Sequence, residues 1–419
     1  MELELVTIGT ELLLGFTVDS NSALVGQLLA GSGIRVARST SVGDDPAQVT
    51  QAVAEALART RFVITSGGLG PTSDDLTKQA VAQLFQLPLE FHQDIWDQLL
   101  ARFARMGRKL AEKNRCQAEV PRGATVLPNP RGTAPGLWIA GDLGEVVMLP
   151  GPPRELRGLM LDEVLPRLAD RGDSSVIRSR VVRTTGIAES AVAERLETAE
   201  RDLAPLTLAY LAGLDGVDLR LTAWRMPSAD AVRLLEVAAE HIRSLLGSHV
   251  YGSEEEDLAE HVLHECRGRG LSLAVAESCT GGAIGARLTA VPGSSSVFAG
   301  GLIAYADRLK QGLGVPARIL EDHGAVSEET VVAMAQGARS RFAVNVGLAV
   351  TGIAGPGGGS SDKPVGLVWF GVADDHGVES HRWVFPGSRQ EIRARAAQFA
   401  LWKVWQRVRS AGPVSRQAD

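Results

Sequence analysis

"LELVTIG", "IRVARSTSV" and "RFVITSGG" are three short β-branched runs, and each is followed by a longer amphipathic stretch before the next begins. This alternation, from residue 1 to about residue 170, constrains the fold more than any other feature of the chain. A strand that returns through a helix before pairing with its successor lies parallel to it, so the pattern specifies βαβ units and a parallel sheet. The helices carry start signals. Asp19-Ser20-Asn21 precedes "ALVGQLLAGSG", Pro46 stands in the first turn of "PAQVTQAVAEALAR", and Asp74-Asp75 opens "DDLTKQAVAQLF". "EVVMLPGPPREL" then runs from a strand through a proline-rich turn into a helix.

At 419 residues the chain exceeds the roughly 250–300 residues that one core supports. The pattern changes twice, which gives three α/β units: a parallel-sheet domain at 1–172, a small α+β spacer at 173–251 and a second α/β domain at 252–412. The spacer reads βαββα. Its Gly213-Leu-Asp-Gly216 has the GXXG spelling of an RNA-binding KH loop, but it is acidic and lies between strands, so a hairpin is expected. The acidic "GSEEEDLAEHVLHEC" marks the second boundary. Beyond it come the strands "LSLAVA", "SVFAGGLIAYA", "VNVGLAVTG", "VGLVWFGVAD" and "VESHRWVF", and "GPVSRQAD" reads as a frayed tail.

Charge and cysteine usage narrow the function classes. A net charge of −6 gives no electrostatic footprint for nucleic acid or an anionic membrane. Cys116, Cys266 and Cys279 are odd in number and form no Cys-x-x-Cys, which argues against a disulfide framework or a structural zinc site and for a reducing compartment. The acidic N-terminus lacks the basic start of a signal peptide, and no apolar run approaches ~18 residues. The expectation is a cytoplasmic protein with no membrane or direct nucleic-acid partner. Base rates for such α/β chains favour a homodimer.

Two strand–helix junctions carry candidate chemistry. In "TSGGLGPTSDDLT", Gly67, Gly68 and Gly70 allow a tight turn whose N–H groups face an anion, and Asp74 and Asp75 follow as caps, base or metal ligands. Glu11 follows the first strand, and Asp44 and Asp45 follow the second. Carboxylates after three successive strands suggest a divalent metal (Mg, Mn or Co) held by Glu11, Asp44 and Asp75 on a phosphate. In "AESCTGG", Ser278 follows a strand where a helix starts, with Thr280, Gly281 and Gly282 in the first turn; free N–H groups there suit a developing oxyanion. Tyr305 and Lys310 follow the next strand, and Thr351 and Gly352 run into a glycine-rich loop. No histidine stands in these motifs, so Lys310 is the candidate base for Ser278, with Tyr305 as relay or substrate contact. Cys279 is the rival nucleophile, expected to point into the core. Arg389 and Arg393, at the start of the last helix, suit an anionic substrate group.

These motifs resemble a known family. "TIGTELLLG", "TSGGLGPTSDDLT", "NPRGTAPG" and "LPGPPREL" are similar to the domain of molybdopterin-binding proteins and of the competence/damage-inducible CinA family. "AESCTGG", "TGIAGP" and "KPVG" resemble that family's C-terminal nicotinamide mononucleotide amidase domain. The resemblance implies hydrolysis of nicotinamide mononucleotide to nicotinate mononucleotide and ammonia, without a cofactor. Its site would comprise Ser278, Thr280, Gly281, Gly282, Tyr305, Lys310, Thr351 and Gly352. For the first domain it implies metal-dependent cleavage of ADP-ribose to AMP and ribose 5-phosphate, that is, a salvage enzyme for pyridine nucleotides. The alternative is a domain that binds a pterin or nucleotide without cleaving it, in a competence or DNA-damage accessory protein. The family usually has asparagine where this chain has Asp307, and a carboxylate there would pair with Lys310 and weaken it as a base.

Overall fold

The computed structural model describes residues 1–171 and 175–410. The expected boundary between 172 and 173, the expected end at 412 and the "GPVSRQAD" tail lie outside the described residues. By its internal contacts the chain divides into two compact units. Met1–Arg178 with Ala223–Leu234 makes the first, and Ser179–Thr222 with the chain from Leu235 onward makes the second.

In the first unit the strands are β1 (Glu2–Ile8), β2 (Arg35–Val42), β3 (Phe62–Ser66), β4 (Leu89–Phe91), β5 (Glu119–Pro121), β6 (Thr125–Leu127), β7 (Gly136–Gly141) and β8 (Gly144–Leu149). The main sheet has the order β2-β1-β3-β8-β7-β6. Its first four strands are parallel, as the βαβ pattern requires, and β7 and β6 add an antiparallel edge. The period-2 alternation of β1 builds a core on each face. Leu3 and Leu5 pack with Val25 and Leu29 of the helix Ser20–Ala30, whereas Val6 and Ile8 pack with Val49 and Val53 of the helix Pro46–Thr60. Asp19 and Asp45 cap these two helices through Ser22 N and Gln48 N. One start signal is displaced: the third helix begins at Thr77, so Asp74 and Asp75 lie in the preceding turn and cap nothing.

Four strands follow: β9 (Ser175–Thr184), β10 (Thr207–Ala212), β11 (Val217–Pro227) and β12 (Val250–Ser253), in the sheet order β10-β11-β9-β12. β10 and β11 are antiparallel and joined across Gly213–Gly216, where Gly213 N donates to Gly216 O, so GLDG is the hairpin its acidity suggested. The acidic stretch near 252 is more than a boundary. Asp257 caps a helix, Leu258–Gly268, that buries Leu258, Val262, Leu263 and Cys266.

The remaining strands are β13 (Leu273–Glu277), β14 (Phe298–Ile303), β15 (Val346–Gly352), β16 (Leu367–Asp374) and β17 (Gly377–Val384), in the order β14-β13-β15-β16-β17. β14, β13 and β15 are parallel, and β16 and β17 return antiparallel. The connection from β13 to β14 runs through the helix Ala283–Ala290 on one face, beside the long helix Arg389–Ser410. The connection from β14 to β15 runs through the helix Glu328–Phe342 on the other face. The end of β13 is therefore a topological switch point, the place where open α/β sheets bind ligands.

Candidate active site

Ser278 directly follows β13. Its N donates to Val350 O of β15, and Glu277 O before it accepts from Ala304 N after β14, so the backbone is pinned on both sides. Ser278 is 7% exposed, and its hydroxyl makes no hydrogen bond to another described residue. The chain then turns through Gly281 (φ +60°) and Gly282 (φ +95°), left-handed angles that a side chain would strain. Arg393 clasps this turn, donating from Nη2 at 2.8 Å and Nε at 3.3 Å to Thr280 O. Thr280 is fully buried and its hydroxyl has no partner among the described residues.

One expectation about this junction is corrected. The N–H groups at the start of the helix Ala283–Ala290 are not free for an oxyanion. The carboxylate of Glu277 accepts from Gly282 N at 2.9 Å, Ile284 N at 3.2 Å and Gly285 N at 2.8 Å. Sequence reading missed Glu277. The available signal was an acidic residue ending an otherwise apolar strand just ahead of a helix start.

Tyr305 and Lys310 follow β14. Lys310 is 1% exposed; its Nζ donates to Tyr305 O at 3.0 Å and pairs with Asp307 at 3.3 Å. The Asp307 partner is the one its departure from the family pattern suggested. With both contacts made, Lys310 has no hydrogen bond to Ser278, so the nucleophile–base pair read from the sequence is not formed here. Tyr305 is exposed, and its phenol oxygen accepts from Arg389 Nη2 at 3.0 Å; Arg389 Nη1 donates to Gly355 O at 2.9 Å. Arg389 thus links the loops after β14 and β15, which lie far apart in sequence. Thr351 donates to Ala325 O at 2.6 Å, and Gly352 packs against the backbone of β16, so both support the loop rather than project from it. Cys279 is buried, and burial pushes its thiol up to about 12, so the thiolate that attack requires is scarce near neutrality.

In the first unit the loops after β1, β2, β3 and β8 share one edge of the sheet. Gly67 (φ +107°) and Gly68 (φ +68°) make the turn after β3; a Cβ at Gly67 would collide with the Ile8 carbonyl, and one at Gly68 with the Thr77 hydroxyl. Asn21 Nδ2 donates to Ser66 Oγ at 2.8 Å and to Gly151 O at 2.7 Å, tying the ends of β3 and β8. Its Oδ1 and the buried Thr65 hydroxyl lack partners among the described residues. Sequence reading took Asn21 only as part of a helix start signal and did not single out Lys78. Lys78 is buried against the Cys116 carbonyl, and burial lowers its ammonium below the usual range.

The carboxylates expected to hold a metal are individually engaged. Asp44 Oδ2 accepts from Thr10 N at 2.8 Å, and Asp75 Oδ2 accepts from Thr72 N at 2.8 Å and from the Thr72 hydroxyl. Glu11 folds back over Gly9, Gly70 abuts the Asp75 carboxylate, and Asp74 is exposed in the turn. Among the described residues no three His, Cys, Asp or Glu side chains gather as metal ligands, so Glu11, Asp44 and Asp75 do not form one centre. No described helix is long and apolar enough to cross a membrane.

Three domain families match this chain: "Probable molybdopterin binding domain" at residues 4–170, "Damage-inducible protein CinA KH domain" at 179–252 and "CinA C-terminal domain" at 255–408. A "CinA-like protein" of Gemmatimonas aurantiaca is 51% identical over 406 residues, covering 96% of this chain and 95% of that one. A "CinA-like protein" of Parasynechococcus marenigrum is 45% identical over 380 residues, with 90% of each chain covered. Among solved structures, the competence/damage inducible protein CihA from Agrobacterium tumefaciens is 40% identical over 36% of this chain and 94% of its own, with a TM-score of 0.36.

Proposed function

Because this chain belongs to the CinA family, we propose that its C-terminal unit is an amidase that converts nicotinamide mononucleotide and water into nicotinate mononucleotide and ammonia. The observation that carries this reading is the unpartnered Ser278 hydroxyl at the switch point of a parallel sheet, beside a turn that only glycines form without strain. Ser278 Oγ adds to the carboxamide carbon. The C–N bond then breaks, and the nitrogen leaves as ammonia with the hydroxyl proton. Water cleaves the resulting acyl–serine ester, releasing the carboxylate and restoring Ser278. Arg389, held beside the Tyr305 phenol, supplies a cation for the nucleotide phosphate. Lys310 acts by holding the Tyr305–Asp307 segment in place. The test is to incubate the protein with nicotinamide mononucleotide, with and without chelator, and follow ammonia. Chelator-independent release supports the reading, and an absence of ammonia and nicotinate mononucleotide overturns it.

For the N-terminal unit we propose a phosphate-bearing nucleotide as ligand, with ADP-ribose cleaved to AMP and ribose 5-phosphate. The Gly67–Gly68 turn and the unpartnered Asn21 Oδ1 favour this reading. Glu11, Asp44 and Asp75 are separately engaged and do not gather around one metal position. AMP release from ADP-ribose supports hydrolysis; binding without release supports the non-catalytic pterin or nucleotide-binding alternative. A homodimer belongs to the same proposal and is tested by light scattering.

A further inference from the structure

We infer that Glu277 is a positioning residue for Ser278: its carboxylate, spanning from the end of β13 to the start of the next helix, holds the Ser278–Gly282 turn in its reactive shape. The inference rests on the amidase reading of this site. Glu277 is 2% exposed and has no cationic partner within ion-pairing distance among the described residues, so it is buried for the sake of three backbone donors. Those donors divide between its oxygens. Oε2 takes Gly282 and Ile284, and Oε1 takes Gly285. The carboxylate thus bridges the Ser-Cys-Thr-Gly insert from strand to helix, while its own backbone is fixed between β14 and β15. The turn it spans has two left-handed residues, and Arg393 holds it as well, through Thr280 O. A carboxylate is acceptor-only and satisfies all three N–H groups. A glutamine in the same shape presents an N–H₂ to one of them, which sets donor against donor.

Glu277→Gln keeps volume and removes one acceptor. The expected result is a fall of at least tenfold in kcat for ammonia release, with KM within about threefold of wild type, because the defect lies in presenting the nucleophile and not in holding the nucleotide. Glu277→Asp restores acceptor-only chemistry and is expected to recover part of kcat. Asn345→Ala is the control for plain destabilisation. It removes the contacts of Asn345 Oδ1 with Ser272 N and Oγ at the other end of β13, and is expected to lower Tm while leaving kcat unchanged. In parallel, amide hydrogen exchange over residues 279–285 of Glu277→Gln is expected to accelerate at least tenfold, with the rest of the unit unaltered. A folded Glu277→Gln protein with wild-type kcat, or with unaltered exchange over 279–285, overturns the inference. If the wild-type protein itself releases no ammonia, the amidase reading falls separately, and the exchange measurement still decides whether Glu277 holds the turn.

Discussion

Ser278 and Cys279 are adjacent, and either could in principle attack a carboxamide; exchanging their fates is the sharpest test of the site. Burial pushes the Cys279 thiol up to about 12. Its thiolate is therefore far scarcer near neutrality than that of an ordinary cysteine. Cys279 also belongs to the same buried core as Ile284, Leu288 and Val350. Cys279→Ala therefore removes a small buried group at a cost of about 1 kcal/mol, and is expected to keep activity within about threefold of wild type. Ser278→Ala deletes the nucleophile and is expected to cost on the order of 10³-fold or more in turnover, with little change in Tm, since its hydroxyl makes no hydrogen bond to lose. The assay is continuous ammonia release from nicotinamide mononucleotide, with circular dichroism to confirm folding. Alkylation by iodoacetamide adds a second readout: Cys279 should label far more slowly than the half-exposed Cys116. A folded Cys279→Ala protein with a hundredfold loss, or a Ser278→Ala protein retaining a tenth of wild-type activity, would refute the assignment.

Arg389→Ala removes contacts to Tyr305 and Gly355 and is expected to raise KM for the mononucleotide more than it lowers kcat, which initial-rate kinetics will separate. Gly67→Ala places a Cβ against the Ile8 carbonyl at φ +107°, and is expected to destabilise the N-terminal unit by about 1–3 kcal/mol and abolish its ligand binding; an unchanged melting curve would contradict this. The Arg407 guanidinium, at 2.6 and 2.8 Å, holds the Asp374 carboxyl below its usual 3.8. A carboxyl depressed in the folded state contributes stability that is complete above its unfolded value and lost as pH falls through its folded value. Asp374→Asn should therefore lower Tm at pH 7, and the gap to wild type should narrow below about pH 4 as measured by thermal denaturation.

The elements were more legible in the sequence than the contacts between them. β1, β2 and β3, the caps at Asp19 and Asp45, and the hairpin at Gly213–Gly216 follow from local patterns, and all appear where those patterns put them. Helix starts were less secure. Asp74-Asp75 has the spelling of a cap, but the turn after Gly70 draws Asp75 back onto Thr72, and the helix waits until Thr77. The helix Leu258–Gly268 has a readable apolar stripe that its acidic start obscured. At the candidate site, the placement of Ser278 at a strand–helix junction was readable. The Arg389–Tyr305 bond was not, because it joins residues 84 positions apart and no spacing rule reaches that far. Glu277 was hidden for another reason. Its role depends on where three N–H groups point, which follows only from the left-handed angles of the two glycines.

The clasp of Arg393 on Thr280 also bears on how the site comes into being during synthesis. The two residues are 113 positions apart, and β15, which flanks β13 on its other side, is made in the interval. A ribosome delivers the Ser278 turn long before it delivers either neighbour. The Glu277 contacts, by contrast, span at most eight residues and can close as soon as the first turn of the helix has emerged. The nascent chain can thus close the Ser278–Gly282 turn locally while the last helix is still untranslated, and Arg393 adds its clasp on Thr280 only when that helix arrives.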